Sequence, residues 1–211
     1  MTKPGRISQH YLNLLGDEEI TKLVNEYYKM FDSLDQPSGG MQINVSEVLG
    51  IKKYLKGRKF DNFIEVGVCD GGSLWMYGNM FCRAYSNIIA IDIKKTPCGE
   101  LVRDKLFCGY SEADCNEIAD MFPYGYFDFI NLDAAHDYPS VKKAFDNYSP
   151  KLSSDGVMLI HDTNSDEGSR LFVEKEVRPF YKCTDFIGKG YVASTSACDS
   201  IETGTTLIER K

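Results

Sequence analysis

The sequence predicts an α/β fold in which a mostly parallel, doubly wound sheet is covered by helices on both faces. Three observations support this prediction. Short apolar segments alternate with segments of helical periodicity, one apolar segment runs directly into a glycine-rich turn, and several others end in a carboxylate. Alternating strands and helices are typical of parallel sheets, whose ligands bind beyond the carboxyl ends of the strands. The residues at those ends are therefore the candidate functional residues.

The predicted elements follow one another in a regular order. Apolar residues at helical spacing, with Asp17 as a cap, predict a helix over Asp17–Phe31, and a linker over Ser33–Gly40 leads to a second helical pattern between Val45 and Tyr54. The predicted strands are Phe63–Val66, Ile88–Ile91, Leu106–Cys108, Phe127–Leu132, Val157–Ile160 and Thr205–Ile208. The helices predicted between them are Leu74–Phe81, Glu112–Met121, Pro139–Tyr148 and Leu171–Phe180.

The composition favours one globular domain and argues against a nucleic-acid partner. The 211 residues are 43% hydrophobic and 26% charged, which is ordinary for a chain with one substantial core. The net charge of −7 disfavours phosphate binding, which needs clustered lysine and arginine. The seven cysteines form no C-x-x-C pair. The N-terminus has no apolar core of signal-peptide length, and no apolar segment is long enough to span a membrane. We therefore expect a cytoplasmic protein with free thiols and no membrane partner.

The segment Phe63–Ser73 is an apolar strand that enters a glycine-rich turn and then a helix. Closely spaced glycines let the backbone approach a ligand, and the helix offers free N–H groups there. Gly67 and Gly71 lie four residues apart, which is not the spacing of the nicotinamide-cofactor fingerprint, and no Gly-Lys-Ser or Gly-Lys-Thr of a phosphate loop follows. Taken alone, the pattern is equally typical of a tight turn without a ligand.

Asp92 ends the second strand of the α/β region. It follows the glycine turn by about 20 residues, the usual interval for a carboxylate that accepts both ribose hydroxyls. Alone, Asp92 would be interpreted as a solvated acid at a strand end. Together with the glycine turn, it predicts an adenosine-containing ligand.

Two later strands end in both an acid and a histidine. Asp133 ends one strand and His136 follows it, whereas His161 and Asp162 end the next. Aspartate and histidine are ligands for divalent cations and common general bases. A carboxylate at the end of an apolar strand is costly to bury without a partner, which favours a functional role for Asp133. For His161, the sequence leaves open a ligand role and a structural role in orienting a neighbour.

Five segments together form a more specific pattern. They are the turn from Glu65 to Ser73, Asp92, Leu132–Tyr138, Ser154–Asp162 and Thr203–Ile208. In these residues the chain resembles class I S-adenosylmethionine-dependent methyltransferases, and more narrowly the small O-methyltransferases of the catechol and macrolide-sugar type. The resemblance covers roughly residues 41–211 and implies a Rossmann-like, seven-stranded sheet with one antiparallel strand near its edge. It also implies a division into an N-terminal helical extension with linker, residues 1–40, and a methyltransferase domain, residues 41–211.

The resemblance further implies methyl transfer to a hydroxyl of a small molecule such as a sugar, a phenol or a natural-product intermediate. It places His136 and Asp133 as catalytic residues, with His136 taking the proton of the hydroxyl, and Asp133 and Asp162 as ligands of Mg²⁺ or a similar divalent cation. Thr163 departs from the pattern, because metal-dependent relatives usually have an acid or asparagine there. The implied S-adenosylmethionine residues are Glu65, Gly67, Asp70, Gly71, Gly72, Ser73, Asp92, Gly109, Tyr110 and Asp133.

Two other functions stay open at this stage. One is a hydroxylase-like relative on the same scaffold, and the other is a non-catalytic protein that binds S-adenosylmethionine or a nucleotide. We expect a small-molecule acceptor as partner and consider a homo-oligomer through the N-terminal helix. Acceptor specificity is expected in the segments of weakest resemblance, Met1–Gln42, Asn164–Ser169 and Ile187–Glu202.

Overall fold

A computed structural model describes residues 7, 9–32, 41, 43–93, 106–108, 116–188 and 202–211. Within these residues, seven strands form one sheet in the order β3-β2-β1-β4-β5-β7-β6. The strands are β1 Phe60–Val66, β2 Cys82–Asp92, β3 Leu106–Cys108, β4 Phe127–Leu132, β5 Leu152–Ile160, β6 Tyr181–Gly188 and β7 Thr203–Arg210. Only β7 runs antiparallel to its neighbours, β5 and β6. The predicted mostly parallel, doubly wound sheet is confirmed.

Helices cover both faces of this sheet. They are α1 Gln9–Leu15, α2 Glu18–Asp32, α3 Val45–Leu55, α4 Gly72–Phe81, α5 Asn116–Asp120, α6 Tyr138–Tyr148 and α7 Glu167–Phe172. A 3₁₀ turn over Ser149–Lys151 enters β5, and a π-helical segment over Val173–Val177 follows α7. One apolar cluster packs helices α1, α2, α3 and α4 against the sheet, and a second packs helices α5, α6 and α7 against it.

The helix α2 is part of the first of these cores. Its residues Ile20 and Tyr27 are fully buried, and Asp17 caps its start by accepting a hydrogen bond from the Ile20 N–H at 3.0 Å. The indole of Trp75 on α4 donates to the Leu23 carbonyl at 3.0 Å. Trp75 therefore packs against α2, and the apolar face of α2 is covered by the chain's own α4 region.

The region after β5 differs from the sequence prediction. The predicted helix Leu171–Phe180 is wrong in its bounds, because Asp166 caps α7 by accepting from the Gly168 N–H at 3.0 Å and Phe180 is exposed. Strand β6 was not predicted. Its side chains are mostly half-buried or exposed, so it lacks the continuous apolar run that marks the central strands.

Some sequence predictions fall on residues outside those described. They include the linker Ser33–Gly40, the start of the predicted helix Glu112–Met121, and Gly109 and Tyr110. Across the described part of the chain, every helix is too short or too polar to cross a lipid bilayer.

Candidate active site

The turn after β1 brings two strand ends into contact. Gly67 has a φ of 89°, and a Cβ atom built on it would lie 2.0 Å from the carbonyl oxygen of Asp133 at the end of β4. Only glycine accommodates both this φ and this approach. Gly71, with a φ of 78°, is the N-cap of α4 and provides no side-chain hydrogen bond. Gly72 and Ser73 are the first two residues of this helix, and both are buried. The turn thus lies directly against the acid of the neighbouring strand.

Asp92 holds this turn from the side of β2. Its Oδ2 accepts hydrogen bonds from the backbone N–H groups of Val68 at 2.9 Å and Cys69 at 2.7 Å. Asp70, in the same turn, is buried, and its carbonyl accepts from the Tyr27 hydroxyl of α2 at 2.8 Å. Asp92 and Asp70, two of the predicted cofactor residues, therefore both lie at the turn. Asp92 also stabilises the backbone of the turn through its two hydrogen bonds.

Glu65 is a fully buried carboxylate at the end of β1. Its Oε1 accepts hydrogen bonds from the Ser73 hydroxyl and from the Asn131 amide at 2.7 Å, whereas its buried Oε2 has no hydrogen-bond partner among the described residues. Burial, together with the nearby charge of Asp133, raises the pKa of Glu65 to about 8. Sequence reasoning missed Asn131, although an amide inside an apolar strand was a usable signal.

The second group of side chains forms where β4 and β5 end. These strands are parallel neighbours with Leu132 opposite Ile160, so Asp133 and the pair His161 and Asp162 emerge side by side. Their contacts are 3.2 Å from His161 Nδ1 to Asp133 Oδ1, 3.4 Å from His161 Nδ1 to Asp162 Oδ1, 3.5 Å from His136 Nε2 to Asp133 Oδ1 and 3.3 Å from His136 Nδ1 to Asp162 Oδ2. The four predicted residues are brought together.

Opposite charges dominate the electrostatics of this cluster. Burial alone would raise the pKa of both aspartates, but the histidines outweigh it, lowering the pKa of Asp133 and, with Ser165, that of Asp162 to about 2. The side chain of Asp133 raises the pKa of His136 against the opposing effect of burial. Burial also opposes the charge on His161, yet the two aspartates raise its pKa well above the ordinary value. These pKa shifts favour the ionised form of the two aspartates and the protonated form of the two histidines.

The backbone at Asp162 and Thr163 is specialised. Asp162 has a φ of 54°, in the left-handed region that non-glycine residues rarely adopt, and its Oδ1 accepts from the Ser165 hydroxyl at 2.8 Å. The N–H and hydroxyl of Thr163 both donate to the Gly204 carbonyl of β7, at 2.8 and 3.2 Å. Thr163 is thereby engaged with β7, while Asp162 joins the cluster.

Three residues of the cluster have a geometry suited to a metal ion. One ligand atom from each of Asp133, His136 and Asp162 lies within 4.8 Å of the others, and the three residues are partly buried. Carboxylate and imidazole donors bind divalent cations. This group contains both predicted metal ligands, Asp133 and Asp162, with the ring of His136 between them.

A third acid near the cluster was not predicted. Glu47 on α3 is buried, accepts hydrogen bonds from the hydroxyls of Thr203 and, at 2.6 Å, Thr205, and places Oε2 3.9 Å from His161 Nε2. Burial raises its pKa, which His161 partly offsets. Its only sequence signal is an acid between the apolar residues Val45 and Val48, which is weak because an acid in a first helical turn is common.

Residues 64–163 match a family model described as a methyltransferase domain. The chain carries a methyltransferase domain. The match begins within β1 and ends directly after Asp162, so it contains both the glycine turn and the acid and histidine cluster. This confirms the methyltransferase class expected from the sequence. A search of curated proteins found no match.

Solved structures of O-methyltransferases share the fold of this methyltransferase domain at low sequence identity. An O-methyltransferase from Bacillus cereus in complex with SAH is 13% identical, with a TM-score of 0.58 over 92% of this chain and 91% of that one. TomG from Streptomyces achromogenes, involved in tomaymycin synthesis and solved with SAM, is 14% identical, with a TM-score of 0.59 over 92% and 91%. MycE of the mycinamycin pathway, solved with Mg, SAH and mycinamycin VI, is 17% identical, with a TM-score of 0.54 over 92% of this chain and 55% of that one.

Proposed function

We propose that this protein is an S-adenosylmethionine-dependent O-methyltransferase that acts on a hydroxyl group of a small molecule. The observation that carries the proposal is the direct contact between the glycine turn at Gly67 and the acid cluster at Asp133. Such a contact puts a cofactor cradle next to groups that activate a nucleophile. The O-methyltransferases that share the fold, solved with SAH or SAM, support it.

The residues of the turn fit S-adenosylmethionine. The start of α4 has no side-chain cap, so its N–H groups suit the carboxylate of the methionine part. The unpaired Glu65 Oε2 suits the amino group beside it, and Asp92 suits the ribose hydroxyls as it fastens the turn. Gly109 and Tyr110 remain predicted contacts near the adenine.

Bound S-adenosylmethionine supplies an electrophilic methyl group on a sulfonium sulfur. The residues of the chain then have two tasks, to align the acceptor hydroxyl with that methyl group and to remove its proton. In our proposal, His136 in its neutral form accepts the proton at Nε2, which makes no hydrogen bond among the described residues, while Nδ1 faces Asp162 at 3.3 Å. Asp133 and Asp162 lie on opposite edges of its ring, orient it and stabilise the imidazolium that forms.

A divalent cation fits the same cluster, with Asp133 and Asp162 as oxygen ligands and His136 within reach of both. A bound cation would lower the pKa of the acceptor hydroxyl. The structure solved with Mg for MycE supports a metal in this fold, and we keep Mg²⁺ or a similar cation as part of the proposal.

A cavity of about 140 Å³ is a candidate for a distal part of the acceptor site, because its lining begins one residue after Asp162 and includes none of the four cluster residues. It begins at Thr163 and Asn164, directly after Asp162, and extends to Arg170 and Ile187. These residues fall in or next to the segments in which the sequence predicts acceptor specificity. We propose that the cavity takes a portion of a sugar or phenolic acceptor.

The compartment and the assembly are proposed on less direct grounds. Cys69, Cys82 and Cys183 form no disulfide with one another or with any other described residue, which supports a reducing compartment such as the cytoplasm. A homo-oligomer through α2 would use its outer residues, because its apolar face is buried within the chain.

Methyl transfer is tested by incubating the protein with S-adenosylmethionine labelled in the methyl group and a panel of catechols, other phenols and sugars. We expect label in one acceptor, with one methyl group added to its mass. A product that gains an oxygen atom would favour the hydroxylase-like alternative. SAH binding without a product from any acceptor would favour the non-catalytic alternative. The structure gives that alternative less support, because a protein that only binds a ligand does not need two acids and two histidines at one site.

A further inference from the structure

His161 and Glu47 form a buried pair that the proposed reaction does not use. His161 is 5% exposed and Glu47 1% exposed; His161 directly follows β5 and Glu47 lies on α3, which is distant in the sequence. His161 Nδ1 lies within 3.4 Å of both Asp133 and Asp162, while its Nε2 lies 3.9 Å from Glu47 on the opposite edge of the ring. One imidazole thus stands between three carboxylates.

Burying these groups is costly unless they are paired, because charged and polar groups lose hydration. Glu47 is compensated by the hydroxyls of Thr203 and Thr205 on β7, which hold one oxygen each. The held carboxylate then faces His161 from α3. The carboxylate of Glu47 thus faces Nε2 at 3.9 Å as an opposite charge without a hydrogen bond, and on the other edge of the ring Nδ1 faces the two aspartates.

We propose that His161 is a positioning residue that sets the orientation of the Asp133 and Asp162 carboxylates, and that Glu47 fixes the ring of His161 for this task. The inference rests on the proposed function, since these carboxylates are the proposed cation ligands. Residues that orient metal ligands commonly change metal affinity 10-fold to 100-fold when they are replaced. His161 acts through the aspartates and needs no contact with the acceptor.

The first arm of the test replaces His161 and measures Mn²⁺ binding and SAH binding separately by calorimetry. His161→Phe keeps a ring but removes both nitrogens, so we expect Mn²⁺ affinity to fall about 10-fold to 100-fold. SAH affinity should stay within about twofold, because SAH is expected at the glycine turn. Thermal unfolding of each variant confirms that it is folded.

Two amide variants show which nitrogen matters and replace the phenylalanine variant if that one does not fold. The side-chain amide of His161→Asn lies near the position of Nδ1, whereas that of His161→Gln lies near the position of Nε2. We expect His161→Asn to bind Mn²⁺ more tightly than His161→Gln. A purely structural role for His161 would lower thermal stability without this order.

The second arm tests Glu47 through β7. Thr205→Val removes a hydroxyl that holds Glu47, and Thr206→Val is the matched control. Thr206 is the next buried residue on β7, and its hydroxyl contacts Asp185 and Thr163 instead. Mn²⁺ affinity should fall severalfold in Thr205→Val and Glu47→Gln, because both changes act on the metal ligands through His161. It should stay within about twofold in Thr206→Val.

Each outcome decides between the proposals. Wild-type Mn²⁺ affinity in folded His161→Phe, or equal affinity in His161→Asn and His161→Gln, would overturn the positioning role. A wild-type protein that binds SAH but no Mn²⁺ would also overturn it and would leave the methyltransferase proposal standing. A wild-type protein that binds neither would contradict the proposed function itself.

Discussion

The carbonyl oxygen of Asp133 occupies the space that a side chain on residue 67 would need. The distance from a Cβ built on Gly67 to this oxygen is 2.0 Å. This relationship joins the end of β1, where the cofactor turn begins, to the end of β4, where Asp133, a proposed cation ligand, follows. Each of the following predictions tests one part of this junction.

Replacing Gly67 with alanine should destabilise the protein by more than its positive φ explains. The φ alone costs roughly 1–2 kcal/mol, and the collision with Asp133 adds about 1–3 kcal/mol. Gly57→Ala is the matched control, because Gly57 has a φ of 79° and nothing near its Cβ position. Urea unfolding measures both, and an equal loss in the two variants would contradict the close approach.

Replacing Asp92 should weaken SAH binding. Asp92→Ala leaves the N–H groups of Val68 and Cys69 without their carboxylate and removes the proposed ribose acceptor. We expect SAH affinity to fall at least 10-fold, equivalent to about 1.4 kcal/mol. Asp92→Asn keeps an acceptor oxygen for the turn and should lose less affinity. Calorimetric titration with SAH measures both variants, and unchanged binding in Asp92→Ala would refute the assignment.

Glu65 should make the stability of the ligand-free protein depend on pH. Its pKa is about 8 in the folded protein against an ordinary 4.5, so the folded state holds the extra proton between these pH values. Stability should therefore fall as pH rises from 4.5 to about 8, by up to roughly 5 kcal/mol from this group.

The matched variant for this effect is Glu65→Gln, which keeps a hydrogen-bonding side chain but cannot ionise. Its free energy of unfolding should fall less over the same pH range than that of the wild type, as measured by urea unfolding at several pH values. Parallel pH profiles for the two proteins would show that Glu65 ionises at its ordinary pKa.

His136 should carry the proton transfer. With the acceptor found in the panel, His136→Ala should lower the rate of methyl transfer by about 10²–10⁴-fold, the usual contribution of a general base. SAH affinity should be unchanged. Because Asp133 raises the pKa of His136 and a base must be neutral, the wild-type rate should increase with pH through a pKa above 6.5. A variant as active as the wild type would remove this role.

Much of the fold and part of the site follow from local sequence patterns. Asp92, Asp133 and Asp162 directly follow apolar strand residues, and parallel strands bring their carboxyl ends to one edge. Strand β6 lacks such a pattern, since it pairs only with β7 at the edge of the sheet. The role of Glu47 could not be predicted from the sequence for a different reason. Its contact with His161 depends on how α3 packs on β6 and β7, and this long-range packing leaves no local periodicity in the sequence.

The central claim is that the turn from Glu65 to Ser73 binds S-adenosylmethionine beside the acid cluster. Calorimetric titration of the wild-type protein with SAH, alongside NADH as a control nucleotide, tests it most directly. We expect saturable 1:1 binding of SAH that Asp92→Ala weakens at least 10-fold, about 1.4 kcal/mol, and no binding of NADH. An absence of SAH binding, or binding that is indifferent to Asp92, would contradict the claim.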